Sequence, residues 1–528
     1  MTAYTITLGD QPLSLDLLDA AFETPLHVAL SVQGLARVRR ARGWVEELVR
    51  RGTAIYGINT GFGHLKNVRI SAEQLDKLQE NLLISHAVGV GPAAPPALVR
   101  WMLLFKTHML LQGHSGVREE VVRRLADWLN RDLLPVVPTR GSLGASGDLA
   151  PLAHLFLPLL GRGEMRQGPH GAVYPAAELQ REFGLEPLRL AAKEGLALIN
   201  GTQFMAAYGA GIAVRATRLA DLADLILCMS LEGLRGSVRP ADDRLHCLRP
   251  HPGARTVAAN IRRHLTGSEI LQSHASCEKV QDPYSLRCAP QVHGAFRDAL
   301  THVREVLTRE INSVTDNPLL FGPDADDPSQ VAAATSPDAV SGGAFHGEPL
   351  ALTYDYLAMA LTEMANISER RIYLLLAGED GLPKLLMRDT GLNSGFMLPQ
   401  YTAAALLNEC KVLSTPACVD SIPTSLGQED HVSMGGTSAV KLYEILDRVE
   451  HVLAIELMCA AQAMDFRDPL HPGAGPRRAR ELLRRYIPHA EEDRQFGQDI
   501  HAALHLLRAS EELRTLARGQ KKTREQPI

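Results

Sequence analysis

The feature that most restricts the fold of this chain is a series of long segments beyond residue 200, in which apolar residues recur at helical spacing with few glycine or proline breaks. The clearest example runs from Val292 to Ile311, where apolar residues follow steps of three and four and therefore lie on one helical face. Comparable stretches cover about 203–233, 348–377, 400–412 and 431–463. Because long amphipathic helices bury their apolar faces against each other, the sequence predicts a mainly α fold built on a long-helix bundle.

The first two hundred residues have a different pattern. A short strand-like opening at Tyr4–Leu8 leads into helical segments that are separated by glycine- and proline-rich turns. We therefore predict a smaller mixed, mostly helical domain over residues 1–200. The long-helix bundle and a C-terminal helical region then form a second domain over residues 201–528.

Composition excludes several classes of function. The formal charge of −5 leaves no basic field for nucleic acid. The seven cysteines form no CxxC pair, which argues against a zinc knuckle, an iron–sulfur site or a disulfide framework, and we expect no metal. The N-terminus has no signal-peptide pattern, and the apolar run 155–160 is too short for a bilayer. We expect a cytoplasmic protein that does not bind membranes.

One segment, Gly141–His154, suggests chemistry. In a structural interpretation it is a turn before a helix, with Ser146 or Asp148 as the helix cap. In a chemical interpretation the amide nitrogen of Gly147, which has no Cβ beside it, attacks the carbonyl carbon of Ala145. Loss of two waters, the second from Ser146, then leaves a methylidene-imidazolone (MIO) ring, an electrophile that the following helix N-terminus stabilises. The segment alone leaves both interpretations open.

Further motifs accompany this segment along the chain. They are, in order, Tyr56–Gly63, Asn81–His86, Gly113–Arg118, Lys193–Thr202, Gln281–Cys288, Ser341–His346 and Gln428–Met434. Together they resemble the motifs of the aromatic amino-acid ammonia-lyases, over roughly residues 50 to 470. The resemblance implies a helical fold of the fumarase/aspartase-like type. It also implies a homotetramer whose sites are shared between subunits.

The resemblance also implies how the reaction is divided among residues. Ala145, Ser146 and Gly147 correspond to the family's MIO precursor, so no cofactor has to be added. Tyr56 corresponds to the catalytic tyrosine that removes the β-proton. Removal of a weakly acidic proton and loss of a poor leaving group need both devices, a base and an electrophile.

Other residues correspond to family positions that hold an amino-acid substrate. Arg287 matches the residue that binds the substrate carboxylate, for which a guanidinium offers two parallel hydrogen bonds. Tyr284 and Asn200 match residues that position the MIO group and the amino group. Gln281 is expected to hydrogen-bond within the site, and Phe345 to pack there.

Substrate choice depends on His86 and Glu429. Ser-His at 85–86 is the pattern of histidine-acting members, although some tyrosine-acting relatives also have histidine here. A carboxylate at Glu429, where phenylalanine- and tyrosine-acting relatives typically have glutamine, suits an imidazole ring. L-Histidine, converted into trans-urocanate, is therefore the favoured substrate.

Several residues depart from the histidine-specific pattern, and they put the substrate in question more than the reaction type. They are Ala289, His293, Ala344 and Gly427, in place of Gln, Met, Asn and Asn. The alternatives are a tyrosine or phenylalanine ammonia-lyase or 2,3-aminomutase, and a non-catalytic helical homologue. Two loops are predicted to interrupt the bundle, at 322–343 and at 378–383. The acidic insertion at 324–327, within the first of them, has no functional explanation.

Overall fold

The computed structural model describes residues 4–21, 26–52, 55, 57–60, 70–71, 74–275, 280–323 and 336–519. The chain divides into two compact units. Unit 1 contains residues 1–214, 304–355 and 416–440, and unit 2 contains residues 215–303, 356–415 and 441–528. The predicted division of the sequence at residue 200 stays a prediction.

Helices dominate the described part of the chain. Those before residue 200 are α1 (Leu15–Ala21), α2 (Val32–Arg51), α3 (Leu75–His86), α4 (Pro96–Leu110), α5 (Glu119–Asn130), α6 (Leu149–Phe156), α7 (Ala176–Glu182) and α8 (Glu194–Ile199). Those after it are α9 (Gln203–Gly233), α10 (Asp243–Leu248), α11 (Pro252–His264), α12 (Glu269–Ser273), α13 (Tyr284–Arg287), α14 (Ala289–Glu310), α15 (Glu348–Leu376), α16 (Met397–Leu413), α17 (Gly435–Asp465), α18 (Ala474–Arg484), α19 (Phe496–Ala509) and α20 (Glu511–Arg518). None of the described helices is both long and apolar enough to cross a membrane.

The described strands are short and all lie in unit 1. They are β1 (Tyr4–Leu8), β2 (Leu26–Leu30), β3 (Val90–Ala93), β4 (Leu133–Pro135), β5 (Pro138–Arg140), β6 (Glu164–Gln167), β7 (Val173–Pro175), β8 (Leu319–Phe321) and β9 (Asp338–Val340). β1 and β2 pair in parallel, whereas β3 with β5, β4 with β6 and β7, and β8 with β9 pair antiparallel.

The predicted mainly α class is confirmed. The predicted stretches 203–233, 348–377, 400–412 and 431–463 coincide with α9, α15, α16 and α17, and the apolar face that begins at Val292 lies on α14. The strand predicted at the N-terminus is β1. One interpretation was wrong: β9 lies within the segment 322–343, which the sequence pattern predicts as loop. β9 is a three-residue strand with little apolar alternation, and its pairing with β8 is a tertiary contact.

Buried charge ties the long helices of unit 2 together. The carboxylate of Glu456 on α17 accepts hydrogen bonds from Ser230 on α9, at 2.7 Å, and from Ser368 on α15, at 2.6 Å. The fully buried Arg371 on α15 donates to the same carboxylate at 2.5 and 2.9 Å. Because a buried charge is costly unless it is paired and hydrogen-bonded, this network favours one arrangement of these helices.

In unit 1, Gly209 on α9 allows a close approach of α15. A Cβ added to Gly209 would lie 2.0 Å from the hydroxyl oxygen of Tyr354, a fully buried residue. That hydroxyl donates to the carbonyl oxygen of Met205 at 2.9 Å, so the ring cannot move away without losing a buried hydrogen bond.

We predict that Gly209→Ala destabilises the protein by about 1–3 kcal/mol, because the added methyl overpacks a filled site. Gly43→Ala is the matched control, since Gly43 is an exposed residue of α2 with open space around the added Cβ. This control is expected to stabilise by about 0.5–1 kcal/mol. Thermal unfolding measures both; a G209A protein as stable as G43A would contradict the packing described here.

Candidate active site

The loop 141–148 has a backbone that requires glycine at two positions near its centre. Gly144 and Gly147 both have φ of +69°. A Cβ added to Gly147 would lie 2.1 Å from the carbonyl oxygen of Gly201, and one added to Gly144 would lie 2.1 Å from Ser433 Oγ. Because neither conformation nor space allows a side chain, the glycines on both sides of Ala145-Ser146 hold the loop in a compact turn.

Three other segments of unit 1 hold this loop in place. Gly147 pairs with Gly201, and the amide of Asp148 donates to the Gly201 carbonyl at 2.8 Å. The Gly144 carbonyl accepts from the amide of Gly347 and from Ser433 Oγ, each at 3.1 Å. The loop is therefore fixed through its backbone, which leaves the side chain of Ser146 free for other contacts.

Asp148 directly precedes α6, but its side chain makes no capping hydrogen bond, so the structural interpretation with Ser146 or Asp148 as the helix cap was wrong. The fully buried Asp148 carboxylate accepts instead from Ser142 Oγ at 2.7 Å and from the amide of Met205 at 3.0 Å. Burial raises the pKa of this carboxyl to about 7. The Asp148 side chain therefore connects the loop to α9 instead of stabilising its own helix.

The side chain of Ser146 contacts Glu429. Ser146 Oγ donates to Glu429 Oε1 at 3.3 Å, and Thr424 Oγ1 donates to the other carboxylate oxygen at 2.9 Å. The backbone of Thr424 also pairs with that of Glu429. The carboxylate is therefore held at the loop by two hydroxyl groups, and sequence reasoning singled out Glu429 but missed Thr424.

His86 lies at the C-terminal end of α3, half-buried, and its Nδ1 is 3.0 Å from Ser85 Oγ. Burial lowers the pKa of this imidazole, and the negative charge of Glu429 acts in the opposite direction. Desolvation therefore favours the neutral ring, which can both donate and accept a hydrogen bond.

Asn200 follows α8 directly and is buried. Its Nδ2 donates to the carbonyl oxygen of Asn317 at 3.2 Å, while its buried Oδ1 has no hydrogen-bond partner. The buried Oδ1 next to Gly201 is therefore an acceptor to which the loop supplies no donor, and it can accept a hydrogen bond from an N–H group of a bound substrate. The compact turn and the small buried Ala145 fit a loop that closes into an MIO ring.

Phe345 is half-buried in the segment that leads to Gly347, and so belongs to the surroundings of the loop. Within unit 1 the structure thus brings Ala145, Ser146 and Gly147 together with Glu429. The segments that carry Asn200 and Phe345 are joined to this loop through hydrogen bonds of Gly201 and Gly347.

Three predicted residues lie in unit 2. Tyr284 begins α13 and is 69% exposed, with the guanidinium carbon of Arg287 4.9 Å from its ring centroid. Gln281 is also exposed. Tyr56 and the acidic insertion 324–327 lie outside the described residues. Within the described residues no group of histidine, cysteine or acidic side chains is arranged to hold a metal ion.

Two of the departures from the histidine-specific pattern have structural explanations. His293 is fully buried in unit 2, where its Nδ1 lies 2.8 Å from Asp224 and its Nε2 lies 3.3 Å from Arg371, so it extends the charge network of the long helices. Gly427 has φ of +83° at the end of a left-handed turn. Asparagine also tolerates that conformation, so glycine preserves the backbone there. Ala289 is buried and Ala344 exposed, and nothing in the structure explains either departure.

Comparisons with known proteins show what the whole chain is similar to. The family described as "Aromatic amino acid lyase" matches residues 13–485. A histidine ammonia-lyase of Gloeobacter violaceus is 51% identical over 504 residues, which cover 95% of each chain. The crystal structure of histidine ammonia-lyase from Trypanosoma cruzi matches with a TM-score of 0.86 at 40% identity, over 99% of this chain and 100% of that one. A tyrosine aminomutase from Streptomyces globisporus matches with a TM-score of 0.89 at 33% identity, over 98% and 99%.

Proposed function

Since this chain belongs to the aromatic amino acid lyase family, we propose that it is a carbon–nitrogen lyase that eliminates ammonia from L-histidine and releases trans-urocanate. The observation that carries the choice of substrate is the Glu429 carboxylate, hydrogen-bonded to Ser146 in the centre of the loop. Histidine ammonia-lyases about half identical to this chain over nearly its full length support the same choice.

The proposed prosthetic group forms from Ala145, Ser146 and Gly147 and supplies an electrophile for the substrate at the position of Ser146. Asn200 would hold the amino group of the substrate beside it, because its unpartnered Oδ1 can accept a hydrogen bond from an N–H group. Phe345 packs near the same loop. No added cofactor is required in this proposal.

Glu429 recognises the imidazole ring. A carboxylate accepts a charge-assisted hydrogen bond from an imidazole N–H, and Thr424 holds this one in a fixed orientation. His86 lies near Glu429 and is a second group that would hydrogen-bond the imidazole ring of the substrate. Burial lowers the pKa of the His86 imidazole itself and so favours its neutral form. A phenyl ring offers no N–H to Glu429, so the carboxylate oxygen that would face the ring loses a hydrogen-bond donor, which disfavours phenylalanine.

The remaining roles rest on sequence motifs. Arg287 binds the substrate carboxylate, with Tyr284 and Gln281 contributing hydrogen bonds to the site. Tyr56 removes the β-proton. Because a free phenol has a pKa near ~10, the glycine-rich segment around Tyr56 is proposed to stabilise the phenolate through backbone N–H groups or cationic neighbours. We further propose a cytoplasmic homotetramer with sites shared between subunits.

An elimination or 2,3-amino shift on tyrosine is the second candidate. The observation that favours it is the likeness to a tyrosine aminomutase, which carries a TM-score of 0.89. Tyrosine has a phenol O–H in place of the imidazole N–H, so Glu429 alone does not separate the two substrates.

We predict that the purified protein releases ammonia and urocanate from L-histidine, and that Ser146→Ala lowers this rate at least ~10³-fold because the precursor of the electrophile is gone. Ser313→Ala, at an exposed serine of unit 1, is the control and should keep full activity. Product analysis with L-histidine, L-tyrosine and L-phenylalanine is the measurement. Ammonia from tyrosine but not from histidine would reject the substrate; ammonia from none would reject the reaction.

We also predict that Thr424→Val lowers kcat/KM for L-histidine about 10-fold, since a hydrogen bond to a charged group is worth about 1.5–3 kcal/mol and part of it orients Glu429. Thr424→Ser keeps the hydroxyl and should retain most of the activity. Steady-state kinetics on the three proteins decides this. Equal losses in T424V and T424S would contradict the role of the hydrogen bond, because T424S retains the hydroxyl group.

A further inference from the structure

Lys106, a residue of α4, has no exposed surface. Its Nζ donates to two carbonyl oxygens, of Ala197 at 3.1 Å and of Asn200 at 2.7 Å. Burial lowers the pKa of this amine to about 7. Because a buried lysine destabilises a core unless its donors are used, its presence here indicates a specific task.

The two carbonyl groups belong to the end of α8 and to the residue that follows it. The next peptide is that of Gly201, which pairs with Gly147 and whose carbonyl accepts from the amide of Asp148 at 2.8 Å. A Cβ added to Gly147 would lie 2.1 Å from that carbonyl oxygen, so the backbones of Gly147 and Gly201 are in close contact. A shift of the Asn200–Gly201 peptide would therefore also displace Gly147.

The two nearby carboxylates, of Asp316 and Asp148, have other hydrogen-bond partners than Lys106. The nearby carboxylate of Asp316 pairs with Lys193 at 2.7 Å, both side chains being fully buried. The Asp148 carboxylate is occupied by Ser142 and the amide of Met205. Both carboxylates favour the charged form of Lys106 from a distance, while its hydrogen bonds go to the backbone of α8 and Asn200.

We propose that Lys106 is a positioning residue for ring closure: it holds the Asn200–Gly201 peptide where that peptide presses the Gly147 nitrogen toward the carbonyl carbon of Ala145. This inference rests on the proposed function. In closure the Gly147 nitrogen bonds to the Ala145 carbonyl carbon. The carbonyl oxygen leaves as water with the amide protons of Gly147 and Ser146. The Ser146 hydroxyl then leaves as a second water with the Cα proton of Ser146.

The test compares Lys106→Met with Lys193→Met in the full-length protein. Methionine keeps the length and apolar volume of lysine but removes the donors. Lys193 is an equally buried lysine of the same unit whose Nζ pairs with Asp316 and not with the peptide at Asn200. Both variants therefore lose a buried charge, but only one loses the contact that positions Gly147.

The readout is the intact mass of the folded fraction, followed over time after synthesis. Closure removes two waters, about 36 Da. The unsubstituted protein and K193M are expected to show this loss in full, whereas K106M closes at least ~10-fold more slowly, because small misplacements of reacting groups cost large factors in rate. Lys106→Gln, which keeps an amide donor, is expected to close faster than K106M, and it serves as the test variant if K106M does not fold.

The outcomes separate this inference from the proposed function. An unsubstituted protein without the mass loss overturns both. A protein that closes normally, with folded Lys106 variants that close equally fast, overturns only the role of Lys106. Equal slowing in K193M also overturns it, since general loss of buried charge would then explain the effect.

Discussion

The contact on which the rest of the site depends is the one between the backbones of Gly147 and Gly201. Two glycines meet there with no space for a Cβ, and both have positive φ angles. The contact sets the curvature of the loop that starts at Gly141 and presents Ser146 to Glu429. The proposed ring closure depends on this close approach, because it fixes the backbone position of Gly147.

Buried polar side chains stabilise this contact through hydrogen bonds to the neighbouring backbone. Lys106 and Asp148 are inaccessible to solvent: Lys106 donates to the carbonyl oxygen of Asn200, and Asp148 accepts from Ser142 and from the amide of Met205. Unit 2 uses the same principle around Glu456. Such networks stabilise little by themselves, since desolvation offsets the attraction, but they penalise any arrangement that leaves a member unpaired.

The sequence predicted the long helices because apolar periodicity over twenty or more residues is a local signal. It also identified Ser146 and Glu429, since both lie in short motifs. Residues whose importance comes only from tertiary contacts were missed. In the sequence, Lys106 is a single charged residue within an apolar helical segment, and Thr424 is a threonine with no motif around it. Asp148 reads as a helix cap, although its carboxylate is directed to Ser142 and Met205.

The central claim is that the loop closes on itself beside a carboxylate that reads an imidazole ring. A crystal structure of the protein with a bound, unreactive L-histidine analogue tests it most directly. The account predicts continuous density between the nitrogen of Gly147 and the carbonyl carbon of Ala145, with the imidazole ring in hydrogen-bond contact with Glu429. An open peptide with an intact Ser146 hydroxyl, in protein that releases ammonia from histidine, would contradict it.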